Sequence, residues 1–314
     1  MGDQCLFFLG AESRFPLILL APLHLPTLAV GYPLQSGLVC NSETDLKLTI
    51  NNQQLTIIKD MPWNPEIYDQ FKQERSAPYF DLLKLIEIES NMSVIDLGCG
   101  TGELTSGLLD FIPNSQITGI DSSAEMLQKA GQYATKRLQF FQRRVEEQVE
   151  LDEKFDLIIA NASLQWCQNH QELFPKLISK LNPEGQLAVQ VPSNHNFIVH
   201  QLLSRVAEKE IYEKEFKGWR REYSVLKIED YAKILSDNNG KKINVFEKVY
   251  PHIMKDADAV FDWASGTAMI PFVEKLSDDL REQYKQDYKN ELRKVFTGSP
   301  VFYPFKRTFI YAQF

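Results

Sequence analysis

Three glycines in a short turn are the residues of this chain whose spacing most strongly indicates a functional site. Gly98, Gly100 and Gly102 alternate with other residues directly after an apolar run at residues 94–97 that contains Asp96. The run predicts a buried parallel strand, because it is short, contains β-branched residues and ends at glycine. Without a Cβ, the glycines allow a tight turn and the close approach of a ligand. The pattern predicts a loop that binds a nucleotide-containing cofactor.

The residues after the turn predict what the loop leads to. Residues 103–111 carry Leu104 and Leu108 on one helical face, so the loop delivers a ligand to a helix N-terminus. A second run, residues 116–121, ends in Asp121 about 20 residues farther on. An acid at this place usually binds the two hydroxyl groups of a ribose.

Two classes of cofactor compete for this arrangement. A dinucleotide fingerprint, G-x-G-x-x-G, requires its third glycine at position 103, where the chain has Glu103. Asp96 lies two residues before the first glycine, where it repels a phosphate but attracts an amino or sulfonium group. S-adenosylmethionine carries both cations. The residues therefore favour this cofactor, and a purely structural glycine turn is the remaining alternative.

Both runs resemble motifs of a known family. Residues 94–102 resemble motif I of class I S-adenosylmethionine-dependent methyltransferases, and residues 119–127 resemble their motif II. This resemblance implies a cofactor site that contains Asp96, Gly98, Cys99, Gly100, Gly102, Asp121, Ser122, Met126 and Asn161.

Composition limits the class of partner. The chain has 314 residues, of which 44% are hydrophobic, enough for one large domain or one domain with insertions. Its net charge of −8 lacks the positive footprint of a nucleic-acid-binding protein, so we expect a small-molecule or protein substrate. Four scattered cysteines without a C-x-x-C pair predict a reduced, cytoplasmic protein without structural zinc. His195 and His200 lack metal-ligand spacing, and no metal is predicted. The oligomeric state stays open.

The first 60 residues differ from the rest. Residues 15–38 are apolar but interrupted by four prolines, which disfavours a membrane-spanning helix, and few basic residues precede them, which disfavours a signal peptide. We expect a poorly ordered or atypical extension over residues 1–60, with a membrane or targeting appendage as the alternative. Residues 61–314 are then the methyltransferase domain, and no membrane partner is expected.

Helical and strand-like segments alternate from Trp63 onward, which predicts an α/β fold with a doubly wound parallel sheet and helices on both faces. The resemblance implies a Rossmann-like sheet of seven strands, the seventh antiparallel between the fifth and sixth. Helical stretches at about 195–240 and 256–300 are interpreted as insertions that form a cap. We predict strands at residues 94–97, 116–121, 138–142, 155–161, 186–191, 243–250 and 307–314.

Other segments resemble one particular family. Residues 161–166 read Asn-Ala-Ser-Leu-Gln-Trp and follow the fourth predicted strand, at the edge where open α/β sheets bind ligands. From Met61 to the C-terminus the chain resembles the trans-aconitate 2-methyltransferase family. The segments that carry this resemblance are residues 61–68, 71–75, 161–166, 187–192 and 305–312.

The resemblance implies methylation of one carboxylate of trans-aconitate or a related small polycarboxylate. Such a carboxylate, with a pKa of about 4, is already ionised at neutral pH, so no catalytic side chain is predicted. Proximity and orientation then supply the catalysis. For each candidate in the substrate site, packing or a surface ion pair is the alternative role. The candidates are Arg307, which matches a terminal arginine of the family, and Gln165, Trp166, Arg75 and Tyr68.

The chain departs from the family pattern at two places. Arg144 stands where family members usually have an acid that accepts a hydrogen bond from the adenine amino group. An arginine cannot accept this bond, so Glu146, Glu147 or a backbone carbonyl accepts it instead, or cofactor affinity is weakened. If Lys306 or Arg220 points inward, the pocket prefers a differently charged acid. The alternatives are methylation of another small acid, a phenol or an amine, or a cofactor-binding module without turnover.

Overall fold

The structure, a computed structural model, describes residues 5–8, 18–21, 46–51, 54–59 and 70–314, with side chains from Ala77 onward. The chain divides into two compact units, Met1–Tyr68 and Asp69–Phe314. In the first unit, β1 (Cys5–Phe8) pairs antiparallel with β2 (Ile18–Ala21), and β3 (Leu46–Asn51) pairs antiparallel with β4 (Gln54–Lys59). The extension predicted over residues 1–60 falls largely outside the described residues, and its boundary stays a prediction.

The second unit contains a sheet of seven strands in the order β10-β11-β9-β8-β5-β6-β7. β11 is antiparallel to both of its neighbours, whereas the other neighbouring pairs are parallel. This order confirms the predicted α/β fold. As predicted, the last strand of the sheet, β11, lies between its fifth and sixth strands in chain order, which are β9 and β10. The strands are β5 (Ser93–Leu97), β6 (Gln116–Asp121), β7 (Leu138–Gln142), β8 (Phe155–Asn161), β9 (Leu181–Pro192), β10 (Lys241–Met254) and β11 (Val301–Gln313).

Three strands, β6 to β8, have the predicted bounds, but β9 begins earlier than expected. The strand was predicted to begin at residue 186, whereas residues 182–185 also lie inside it, as a bulge. Phe155 pairs with Leu181, and the next pair is Leu157 with Gln186. The four residues between these pairs, which face the single residue Asp156, end in Gly185, and Glu184 has a φ of 63°. The bulge keeps residues 187–190 in register with β8.

Helices cover both faces of the sheet. α2 occupies the predicted residues, and two groups of helices, α6 to α8 and α9 to α11, fall in the stretches interpreted as insertions. Within the described part of the chain, no helix is long and apolar enough to span a membrane. The helices are α1 (Gln70–Leu83), α2 (Glu103–Phe111), α3 (Ala124–Ala130), α4 (Val145–Gln148), α5 (His170–Ser179), α6 (Ile198–Ala207), α7 (Glu210–Phe216), α8 (Ile228–Asp237), α9 (Ala257–Ser265), α10 (Ile270–Val273) and α11 (Asp278–Val295).

Two apolar clusters fill the space between the sheet and its helices. Alternate residues of one strand enter different clusters, as Ile158 and Ile159 of β8 do. One cluster includes residues of α1, α6, α9 and α11, and the other includes residues of α5 and α8. Because both faces are covered, the central strands are apolar on both sides and a ligand approaches from the edge at their carboxyl ends.

Candidate active site

The glycine turn connects β5 to α2 in a left-handed backbone conformation. Gly98, Gly100 and Gly102 have φ values of 77°, 56° and 71°, which L-residues rarely adopt. The backbone amides of Gly98 and Cys99 both donate to the carbonyl of Ile120, at 2.8 and 2.9 Å. The end of β6 therefore fixes the shape of the loop.

The three glycines have different surroundings. A Cβ on Gly98 would lie 2.3 Å from the Cβ of Ser163, and a Cβ on Gly102 would lie 2.7 Å from Cζ of Phe140. A Cβ on Gly100 would have no described atom within 4 Å. Protein packing therefore requires two of the glycines, and the third borders open space where a ligand can reach the backbone.

Asp121 holds the open part of this turn. Its Oδ2 accepts from the amide of Gly100 at 2.9 Å, and its Oδ1 accepts from the amide of Ser123 at 2.8 Å. Ser123 in turn caps α3, since its hydroxyl accepts from the amide of Met126 at 3.3 Å. Asp121, Ser122 and Met126 thus follow one another at the carboxyl end of β6, with the last two exposed. This is the predicted place for a ribose.

Asp96 lies beneath the turn and is almost fully buried. Burial raises the pKa of its carboxyl to about 6; the Thr105 hydroxyl, which donates to Asp96 Oδ2 at 2.6 Å, opposes this shift, and the nearby Asp121 adds to it. Because the two acids repel each other, a cation beside them is favourable. The residues present therefore fit the amino group of S-adenosylmethionine. Sequence reasoning missed Thr105, whose position in the first turn of α2 is the one available signal.

The turn after β8 carries Gln165 and Trp166. Ala162 has a φ of 54°, and its amide donates to the carbonyl of Gln190 at 2.8 Å. The side-chain amide of Gln165 donates to the carbonyl of Ala162 at 2.6 Å. His170 is buried with Nε2 2.8 Å from the carbonyl of Leu164. The turn is therefore braced, and it presents Trp166 with its side chain 57% exposed.

Arg307 is buried in β11 and connects to the end of β8 through one glutamine. Its Cζ lies 4.3 Å from the ring centroid of Phe305. The Gln190 amide satisfies its neighbours when its nitrogen donates to Asn161 Oδ1 at 2.8 Å and its oxygen accepts from Arg307 Nη1 at 3.3 Å. Two candidates from opposite parts of the sequence, Asn161 and Arg307, thus belong to one polar network. Gln190, a polar residue in an apolar strand, is the member that sequence reasoning missed.

Two candidates cannot be placed. Tyr68 lies outside the described residues, and only the main chain of Arg75, within α1, is described. Their predicted roles stay predictions.

Lys306 and Arg220, which would change the preferred acid if they pointed inward, each form an ion pair in the structure. Lys306 pairs with Glu247 at 3.3 Å, and Arg220 pairs with Glu213 at 3.2 Å, with all four side chains at least one third exposed. Adjacent strand residues point to opposite faces, so Lys306 lies on the face opposite to Arg307, where it lines a cavity with His195 and Glu247. The neighbour of Arg220, Arg221, lies against Trp166, with 5.7 Å between its Cζ and the ring centroid.

Two acids, Glu146 and Glu147, were predicted as alternatives for binding the adenine amino group. Glu147 Oε2 accepts from the backbone amide of Arg144 at 3.0 Å and so caps α4. Glu146, whose Oε2 lies 3.4 Å from Nε of Arg144, and a backbone carbonyl stay the predicted alternatives for the adenine amino group. Within the described residues, no group of three histidine, cysteine or acidic side chains is arranged to hold a metal ion.

Fold and site together define a class of enzyme. The sheet order, the glycine turn after the first parallel strand of the second unit and the acids Asp96 and Asp121 are those of a class I S-adenosylmethionine-dependent methyltransferase.

Comparison with known proteins extends this result. Residues 88–267 match the model of a family described as a methyltransferase domain. The chain is 38% identical over 258 residues to the trans-aconitate 2-methyltransferase of Deinococcus radiodurans, covering 80% of this chain and 98% of that protein. It is 36% identical over 254 residues to the enzyme of the same name from Escherichia coli strain 55989, with the same two shares. The solved YcgJ protein of Bacillus subtilis is 16% identical, covering 75% of this chain and 97% of that one with a TM-score of 0.48.

The chain belongs to the trans-aconitate 2-methyltransferase family of S-adenosylmethionine-dependent methyltransferases. This confirms the resemblance seen in the sequence.

Proposed function

We propose that this enzyme methylates one carboxylate of a small polycarboxylic acid, trans-aconitate being the first candidate. The observation that carries the proposal is the buried Arg307, joined through Gln190 to Asn161 at the end of β8. A buried guanidinium suits a planar carboxylate, because it offers two parallel donors. The printed name of the relatives from Deinococcus radiodurans and Escherichia coli supports the same acceptor.

The cofactor is held by the residues of the glycine turn and the ends of β5, β6 and β8. When bound, S-adenosylmethionine supplies an electrophilic methyl group on its sulfonium sulfur. Asp96 attracts the amino group, Asp121 accepts from the ribose, and Gly100 leaves room for close approach. Glu146 takes the adenine side. The other proposed contacts are Gly98, Cys99, Gly102, Ser122, Met126 and Asn161.

The acceptor oxygen needs orientation more than activation. A carboxylate is ionised at neutral pH, so the protein does not have to remove a proton. Gln165 and Trp166, on the braced turn after β8, form a wall beside the reacting oxygen, and Arg307 binds a carboxylate that is not methylated. Arg75 and Tyr68 are further proposed contacts. Holding the oxygen in line with the methyl group and excluding water supplies the rate enhancement.

As part of the same proposal, the enzyme works in the cytoplasm on a free small molecule. Cys99 and Cys167 are buried free thiols, which agrees with a reducing compartment. The net charge of −8 disfavours a nucleic acid as the substrate.

A panel of acceptors tests this proposal. Methyl-labelled S-adenosylmethionine is offered with trans-aconitate, a saturated dicarboxylate, a monocarboxylate, a phenol and an amine, and kcat/KM is measured for each. We expect trans-aconitate or another polycarboxylate to be the best acceptor. A preference for the phenol or the amine contradicts the proposal. Escherichia coli has a related enzyme, which can contaminate protein expressed in that bacterium. The Asp121→Ala variant is therefore expressed and purified in the same way, and its residual rate measures the contamination.

A further inference from the structure

Arg221 lies in the segment between α7 and α8, against two aromatic rings. Its Cζ is 5.7 Å from the ring centroid of Trp166 and 5.1 Å from that of Tyr223. Its neighbour Arg220 is paired with Glu213 at the surface, whereas the partners of Arg221 within residues 77–314 are aromatic rings. A half-buried guanidinium thus reaches the turn after β8 without a carboxylate partner in that part of the chain.

Two more polar side chains surround Tyr223. The ring of His195 lies 5.4 Å from that of Tyr223, and the ring of His200, on α6, lies 6.1 Å from it. Within residues 77–314, three buried atoms of this group have no hydrogen bond of normal geometry: Nε of Arg221, the hydroxyl oxygen of Tyr223 and Nδ1 of His200. The Arg221 guanidinium is nevertheless close enough to the Tyr223 hydroxyl to oppose the rise in its pKa that burial causes. Native proteins rarely leave buried polar atoms unsatisfied, so three of them together indicate a place for a polar ligand.

The electrostatics of this group favour an anion. Burial, with Arg221 and His195 nearby, lowers the pKa of His200 to about 4, so its imidazole is neutral at pH 7. Burial also lowers the pKa of Arg221, although a guanidinium stays charged at neutral pH. The group therefore carries one positive charge and several hydrogen-bond donors, which match a carboxylate.

Buried tyrosines connect this group with Arg307. Burial raises the pKa of Tyr288, and its neighbours Tyr303, Tyr284 and Tyr223 raise it further. Burial raises the pKa of Tyr303 to about 12, with Arg307 among the groups that oppose the shift. Tyr288 is thus an electrostatic neighbour of Tyr223 on one side and of Tyr303, beside Arg307, on the other. Arg221, beside Trp166, and Arg307, joined to Asn161 through Gln190, thus both reach the carboxyl end of β8 or the turn that follows it.

We infer that Arg221, with Tyr223 and His200, binds an acceptor carboxylate that is not methylated, and so selects acceptors that carry at least two carboxylates. The inference rests on the proposed function and assigns its substrate selectivity to this loop. Arg307 and Arg221 then hold two carboxylates of a tricarboxylate, which leaves the third for the methyl group. A monocarboxylate has no second carboxylate that Arg221 could bind, so Arg221 does not increase its affinity.

Binding measurements on the protein loaded with S-adenosylhomocysteine test the inference. Trans-aconitate is titrated calorimetrically into wild type, Arg221→Gln, Arg221→Lys and the matched surface control Arg220→Gln. We expect Arg221→Gln to weaken binding by at least about 30-fold, because it removes a half-buried ionic partner of the ligand. Arg221→Lys should lie between that variant and wild type, since it keeps the charge but loses the bidentate geometry, and Arg220→Gln should match wild type.

A second readout separates ligand binding from a structural role. In the transfer assay, Arg221→Gln should lower kcat/KM for trans-aconitate far more than for a monocarboxylate of the same carbon skeleton. S-adenosylhomocysteine affinity and the thermal midpoint should stay close to wild type. If Arg221→Gln does not fold, Tyr223→Phe serves instead, with an expected severalfold loss of trans-aconitate affinity.

Each outcome decides the matter. Unchanged trans-aconitate affinity in Arg221→Gln, equal losses for the tricarboxylate and the monocarboxylate, or a wild-type protein that binds no polycarboxylate overturns the inference. If wild type binds trans-aconitate through Arg221 but transfers no methyl group to it, the proposed function fails and the binding site stands. If transfer occurs and Arg221→Gln leaves it unchanged, the proposed function stands and this inference fails.

Discussion

Asp121 accepts a hydrogen bond of 2.9 Å from the backbone amide of Gly100, so the acid at the end of β6 sets the conformation of the turn after β5. The two residues come from separate sequence motifs, and the bond joins those motifs into one site. Its second oxygen accepts from Ser123, which orients the carboxylate. The acid proposed to bind the ribose therefore also shapes the glycine turn.

The glycines of the turn should respond differently to alanine. In Gly98→Ala, the new Cβ meets Ser163 at 2.3 Å and the left-handed backbone is strained, so we expect a loss of about 2–4 kcal/mol of stability. In Gly100→Ala, the Cβ meets nothing, and we expect a loss of only about 1 kcal/mol. S-adenosylhomocysteine affinity should nevertheless fall at least about tenfold, because the Cβ occupies ligand space.

Denaturant unfolding and calorimetric titration of both variants measure these effects. Wild-type affinity in Gly100→Ala would mean that the cofactor does not approach the backbone at this glycine.

Cofactor affinity should depend on pH through Asp96. The Asp96 pKa is about 6 without ligand, and only the ionised carboxylate attracts the cofactor amino group. Affinity should therefore rise with pH and level off above pH 7, with a loss of about tenfold between pH 7 and pH 5. Thr105→Val removes the hydroxyl that lowers this pKa, so the midpoint should move to higher pH. Titrations with S-adenosylhomocysteine from pH 5 to 8 measure the midpoint; a wild-type curve flat over that range contradicts the assignment.

The same carboxyl should destabilise the protein without ligand at neutral pH. Its folded-state pKa is raised above the unfolded value of about 4, so its stabilising contribution is complete below pH 4 and is lost as the pH rises through 6. Asp96→Asn should therefore be more stable than wild type at pH 8, by up to about 3 kcal/mol, and similar to wild type at pH 4. Unfolding curves at the two pH values decide this, and a variant less stable than wild type at pH 8 would count against it.

Arg307 should contribute to binding of the acceptor acid but not to binding of the cofactor. Arg307→Gln removes a buried guanidinium, so we expect KM for the acid to rise at least about tenfold, with S-adenosylhomocysteine affinity nearly unchanged. Lys306→Gln makes the same charge change at the adjacent exposed position and should behave as wild type. Steady-state kinetics and calorimetry separate the two constants. Equal losses of both in Arg307→Gln would identify the arginine as structural.

The sequence predicted the parallel strands and the cofactor turn well, because buried strands read as apolar runs and glycine spacing has few explanations. Residues 155–161, for example, form β8 as predicted. It named Arg220 and not Arg221, since both lie in a segment between helices where no periodicity assigns a face.

Contacts between distant elements were also beyond the sequence. Gln190 joins Asn161 to Arg307 only because β9 lies between β8 and β11, an order that the chain does not display locally. The bulge at residues 182–185 was hidden for a similar reason, because Asn-Pro-Glu-Gly is also typical of a turn.

The chemical nature of the methylated product tests the central claim most directly. The enzyme is incubated with methyl-labelled S-adenosylmethionine and trans-aconitate, and the purified product is treated with mild base. A carboxyl methyl ester hydrolyses, so the account predicts that the label is released as volatile methanol. Label that stays on the product after mild base would show that the methyl group is bound to an atom other than a carboxylate oxygen, and would contradict the account.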